Sequence, residues 1–165
     1  MTDEGSPELT TQGVMTVNVM NRKMQISLLW VSLAVMMSAV MVLYLFGGGP
    51  DVLDAIRAGE VEGMQITAGL SMLFALFWLV PLAMAFLTVT LPLAVNRWVN
   101  VVMGAVWALM NGMDAVEHLG AGELGGEPLL VVVMALASLL VVWLAWHLPK
   151  PTSTTTEQVP EQAHV

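Results

Sequence analysis

The chain has 165 residues, 57% of them apolar and 11% charged, with mean hydropathy +0.78, formal net charge −8 and no cysteine. Soluble domains average about 45–50% apolar and about 25% charged residues, so this composition excludes a conventional water-soluble core and makes the bilayer the expected solvent and first partner. The lack of cysteine excludes disulfides, thiol redox chemistry and Cys-ligated metals, the acidity argues against nucleic acid, and the length excludes a transporter of two six-helix repeats.

Residues 1–20 are polar, acidic and largely aperiodic, and they read as a disordered tail with too little apolar surface to offset the entropy of ordering. The organised sequence opens at Asn21-Arg22-Lys23, which leaves Met15 and Met20 as alternative starts. A first apolar run, residues 24–46, is free of charge and long enough to cross about 30 Å of hydrocarbon as a helix. It exceeds the apolar region of a signal peptide, and no small-residue cleavage site follows before Gly47-Gly48-Gly49-Pro50, so it is expected to be a retained span. The glycine run that ends it reads as a linker rather than a phosphate cradle.

The next segment, Pro50 to Gly59, carries the signals of a short helix: proline first, acids in the first turn, Arg57 near the end and a closing glycine. Val52, Leu53 and Ile56 share one face, which predicts a brief interfacial helix. Further spans are predicted over residues 64–91, 98–118 and 129–147, followed by a second disordered tail over 149–165. The fold class is therefore an all-α membrane protein, an up-and-down bundle of four transmembrane helices with both termini on one side.

Lys and Arg orient the bundle. Arg22, Lys23, Arg97 and Lys150 fall on one side and Arg57 alone on the other, so the termini are expected in the cytoplasm of a multi-pass cell-membrane protein. Asp51, Asp54, Glu60, Glu62, Glu117, Glu123 and Glu127 then collect outside. Trp98, Trp143 and Trp146 fall at the inner interface, with Tyr44 and Phe46 at the outer one.

The third span carries the only polar face. Asn100, Gly104, Trp107, Asn111, Asp114 and His118 recur at helical spacing, and such a stripe must face protein or water. With the span centred near Trp107, Asp114 lies about 9 Å from the midplane. Two readings remain open. In one, Asp114 and His118, with Asn111 and Glu117, share a proton or hold a cation or polar head group. In the other, the helix ends early, these groups are solvated, and Asn111 bonds a neighbouring helix. A closed metal site lacks ligands on the other spans, and no cofactor is expected. The methionines are scattered over several faces and depths and read as packing. Pro81 is expected to kink the second span. No phosphate-binding loop, Ser/His/Asp arrangement or paired catalytic carboxylates can be assembled, so catalytic residues are not assigned.

Several segments together resemble a known family: Asn21-Arg22-Lys23 with Ile26-Ser27-Leu28-Leu29-Trp30, then Gly63-Met64-Gln65-Ile66-Thr67, Pro81 to Leu87, Asn96-Arg97-Trp98-Val99-Asn100, and Trp143-Leu144-Ala145-Trp146 before Pro149-Lys150. In order and spacing they are similar to a family of uncharacterised small bacterial four-span membrane proteins, a domain of unknown function with a loosely DoxX-like layout. The resemblance covers roughly residues 20 to 150 and departs in the Gly- and Glu-rich loop from Ala121 to Glu127. It implies four helices in an integral membrane protein and carries no site residues. The expected role is a non-enzymatic structural or partner-binding component, joined to a second copy or to another membrane protein; the alternative is a small transport or ligand-binding protein using the polar site. A cysteine introduced at Glu123 should be labelled by an impermeant thiol reagent from outside intact cells, and labelling only from the cytoplasm would invert the topology.

Overall fold

In the computed structural model, residues 7–47, 49–61, 63–122 and 125–149 are described. They form α1 (Pro7–Gly47), α2 (Gly49–Arg57), β1 (Glu60–Val61), β2 (Met64–Gln65), α3 (Ala68–Thr90), α4 (Leu93–Gly120) and α5 (Gly126–Trp146). Val17–Gly47 of α1 and the whole of α3, α4 and α5 are long and apolar enough to cross a membrane, with α4 the least apolar. The predicted all-α architecture of four spans is thus present.

Local differences have local causes. Helix α1 begins at Pro7, inside the stretch expected to be an aperiodic tail up to residue 20. Once a long apolar span is helical, each added residue gains a hydrogen bond without a new nucleation cost, and proline suits the first helical position. Residues 1–6, and the predicted second tail from residue 150 on, lie outside the described residues. The second span starts at Ala68 rather than 64, because Thr67 caps it by accepting the Leu70 N–H at 3.2 Å. Residues 64–65 instead form a short antiparallel pairing with Glu60–Val61, turned at Gly63 with φ +75° and tied by Gln65 Nε2 donating to Glu60 Oε1 at 2.7 Å. Two-residue strands are too short to leave a periodic signal in sequence. Helix α2 forms as expected, with Asp51 in its first turn and Arg57 in its last.

The connection from α3 to α4 is just Leu91-Pro92; Leu91 is extended, as a residue before proline prefers. This defines a turn end of the bundle, and the opposite loop end carries α2, the hairpin and the α4–α5 connection. Helix α1 packs on α3 and α5, and α5 packs along α4. Helices α3 and α4 meet chiefly through side chains. Ile26, Trp30, Leu33, Met84, Trp107, Met134 and Val141 form the core, while Leu28, Leu109, Val116 and Leu136 point outward and are more than half exposed. An outer surface this apolar suits lipid and not water.

Helix α4 approaches α5 closely at Gly104. A Cβ there would stand 3.0 Å from Val142 Cγ2, 3.1 Å from Val141 Cγ1 and 3.4 Å from the Ser138 carbonyl oxygen, so the small residue sets the interhelical distance. Gly104→Leu should force these helices apart and destabilise the bundle by about 1–3 kcal/mol, read as a shift in equilibrium unfolding in mixed micelles.

Candidate functional site

The polar stripe predicted on α4 divides in two. Asn100, Gly104, Trp107 and Asn111 are buried, with Asn96 and Ala115, whereas Asp114 and Glu117 are exposed and His118 is partly buried. Stripe residues spaced by 3.6 on average follow a straight line along an ideal helix. The buried seam from Asn96 to Ala115 instead takes five steps to cover 19 residues. It drifts around α4 because packed helices cross at an angle, and by the last turns it has left Asp114 outside.

The buried half is a hydrogen-bonded knot joining three helices. An indole N–H can only donate. Trp30 Nε1 lies 2.7 Å from Asn100 Oδ1, so the oxygen of this amide faces the indole. The nitrogen then faces Asn96, donating to its carbonyl oxygen at 2.9 Å and to its Oδ1 at 2.7 Å. That orients Asn96 in turn and leaves its Nδ2 buried with no acceptor among the described residues. Thr88 Oγ1, on α3, lies 3.0 Å from Asn100 Oδ1 and 2.7 Å from the Met84 carbonyl oxygen, and its one proton serves one acceptor at a time. Trp30, Thr88, Asn96 and Asn100 are all fully buried.

An aromatic cluster continues the knot. Trp107 stacks on Phe77 of α3 with ring centroids 4.9 Å apart and meets Trp30 of α1 edge-on at 6.1 Å. Asn111 donates from Nδ2 to the Trp107 carbonyl oxygen at 2.8 Å, a bond back within its own helix.

Towards the loop end, His118 Nε2 lies 3.5 Å from Asp114 Oδ1, with side-chain exposures of 21% and 52%. Of the four residues proposed as a proton or ligand site, this pair is therefore brought together, Asn111 points into the bundle, and Glu117 is exposed. Among the described residues no group of three or more His, Asp or Glu is placed to hold a metal. Pro81 is fully buried inside α3, which is helical on both sides of it. One turn on, Ser27 Oγ of α1 donates to the Ala85 carbonyl oxygen at 2.9 Å. Met37, Met84 and Met134 are core residues, while Met41, Met72, Met110 and Met113 face outward.

Spacing alone does not mark Trp30, Asn96 or Arg97 as site residues, and Thr88 reads from sequence as packing. The available signal is the pair Asn96 and Asn100, one turn apart near the start of a span where unpaired amides are costly. Asn100→Leu should leave the Trp30 indole and both neighbouring polar side chains without this partner. It should lower unfolding free energy by about 1–3 kcal/mol, measured by tryptophan fluorescence in mixed micelles, with Asn111→Leu costing clearly less.

No curated protein and no solved structure matches the chain. Residues 15–146 match a family of unknown function, DUF6326. That match spans most of the sequence and all but the first turns of the helical core, and the chain belongs to this family.

Proposed function

We propose that this protein is a non-enzymatic integral membrane component that works by packing, with a second copy of itself or with another membrane protein, and that both termini lie in the cytoplasm. The observation that carries this reading is the knot at Asn100. Its side-chain oxygen meets Trp30 of α1 and Thr88 of α3, and its amide hydrogens are taken up by Asn96 within α4, so this polar group is committed to the interior of the bundle. Contact surfaces are then the acidic loop end and the turn end, where Trp98, Trp143 and Trp146 are each more than half exposed. Tryptophan supplies large contact area at low entropy cost and is enriched at interfaces.

A second reading is favoured by one specific contact, the 3.5 Å approach of His118 to Asp114. In that reading the pair, with Asn111 and Glu117 nearby on α4, takes a proton or a small polar ligand from the loop end. Reconstituted protein separates the two. Packing predicts proton and cation flux no greater than in empty vesicles, unchanged by Asp114→Asn or His118→Ala, together with specific cross-linking through single cysteines placed at Trp98 or Trp143. A flux that either substitution abolishes would transfer the function to the Asp114–His118 site.

A further inference from the structure

The cations whose side chains are described have unequal surroundings. Arg57 pairs with Asp54 at 2.9 Å. Arg22 Nη1 donates to the His147 carbonyl oxygen at 3.0 Å, and Lys23 Nζ to that of Leu91 at 2.7 Å. Both close helix C-termini, where positive charge is favoured. Arg97 has no such partner among the described residues. Its guanidinium carbon lies 4.9 Å from the Trp146 ring and 6.0 Å from that of Trp98, and its Nε is buried without an acceptor. The two indoles meet edge-on at 6.0 Å and form a corner around the guanidinium.

This corner lies at the end of the apolar spans, where a bilayer surface is expected. Arg97 is on the second turn of α4, about 6 Å from the helix start at 1.5 Å per residue. Trp98 and Trp146 occupy the position that indoles favour at the headgroup level. Aromatic faces offset only part of the cost of withdrawing a guanidinium from water, and its remaining donors call for an anion. The carboxylates with described side chains, Asp51, Asp54, Glu60, Asp114, Glu117 and Glu127, all belong to the loop end and cannot supply one. Arg22 and Lys23 add positive charge at the turn end, and Arg22 holds the residue next to Trp146. The anion abundant at this depth is phosphate on a lipid, and planar guanidinium donors match two phosphate oxygens at once.

We propose that Arg97, walled by Trp98 and Trp146 and flanked by the charges of Arg22 and Lys23, binds the headgroup phosphate of an anionic phospholipid. The site shares Trp98 and Trp146 with the proposed packing surface and is separate from the Asp114–His118 pair, which lies at the other end of α4.

Native mass spectrometry of the full chain, released from nanodiscs of mixed phosphatidylcholine and phosphatidylglycerol, tests it. Wild type should retain phosphatidylglycerol in preference to phosphatidylcholine. Arg97→Gln should reduce that retention by about fivefold or more, the effect of removing one cation from an anionic surface, while Arg57→Gln leaves it unchanged. Arg97→Lys keeps the charge but loses the two-pronged geometry; it should fall between wild type and Arg97→Gln, and it provides a folded comparison if Arg97→Gln fails to fold. Added inorganic phosphate should not displace the lipid, and displacement would reassign the site to free phosphate. Equal retention by wild type and Arg97→Gln would overturn the proposal. So would lipid binding that emerges only in a Glu157→Gln, Glu161→Gln double variant, which would give the Arg97 corner to the chain's own C-terminal carboxylates.

Discussion

The bond from the Trp30 indole to Asn100 is the constraint on which the bundle interior depends. In hydrocarbon there is no water to take over an unmade hydrogen bond, so an interior amide must find its partners inside the protein. Because the indole only donates, one contact orients Asn100, and Asn100 then orients Asn96. The same oxygen lies within reach of Thr88. A single side chain thereby ties α1, α3 and α4, and the stacked rings of Phe77 and Trp107 repeat the linkage further along α4. Helix association in a bilayer lacks the hydrophobic drive available in water, so small-residue contact and interhelical hydrogen bonds take its place. Gly104 supplies the first towards α5 and Asn100 the second towards α1 and α3.

The two ends of the molecule have different chemistry. At the loop end, acids on α2, the hairpin and the last turns of α4 surround short, exposed elements such as the Arg57–Asp54 pair, which contributes little to stability. At the turn end, cations are fastened to the frame. Arg22 closes α5, Lys23 closes α3, and Arg97 lies against two indoles. Charge here is part of the construction of the bundle.

Four apolar runs were legible in sequence because a membrane span needs only length and the absence of charge, both of which survive without any knowledge of neighbours. The short helix after Gly49 was legible from its proline, acids and arginine, which act within one or two turns. Polar periodicity on α4 identified Asn100, Gly104, Trp107 and Asn111 as inward-facing, since a polar stripe on a span has few other places to go. It did not separate them from Asp114, because the drift of the buried seam depends on how the neighbouring helices pack on α4, and a single helix carries no record of that packing. Trp30 was hidden for a similar reason. An indole in an apolar run looks like packing until the acceptor opposite it is known. Helical order from Pro7 and the Glu60–Gln65 pairing leave no signal in sequence, because each is favoured by what adjoins it more than by its own composition.

The partners of Asn100 share one further property, their place in the order of synthesis. Trp30, Thr88 and Asn96 all precede it in the chain. When the ribosome delivers α4, the least apolar span, the indole and hydroxyl that receive its amide have already been made, and the two-residue connection after α3 brings α4 in beside them. The span with the weakest affinity for lipid therefore need not partition into it alone. Its polar face has a prepared berth, and α5, which owes Asn100 nothing, can close the bundle afterwards.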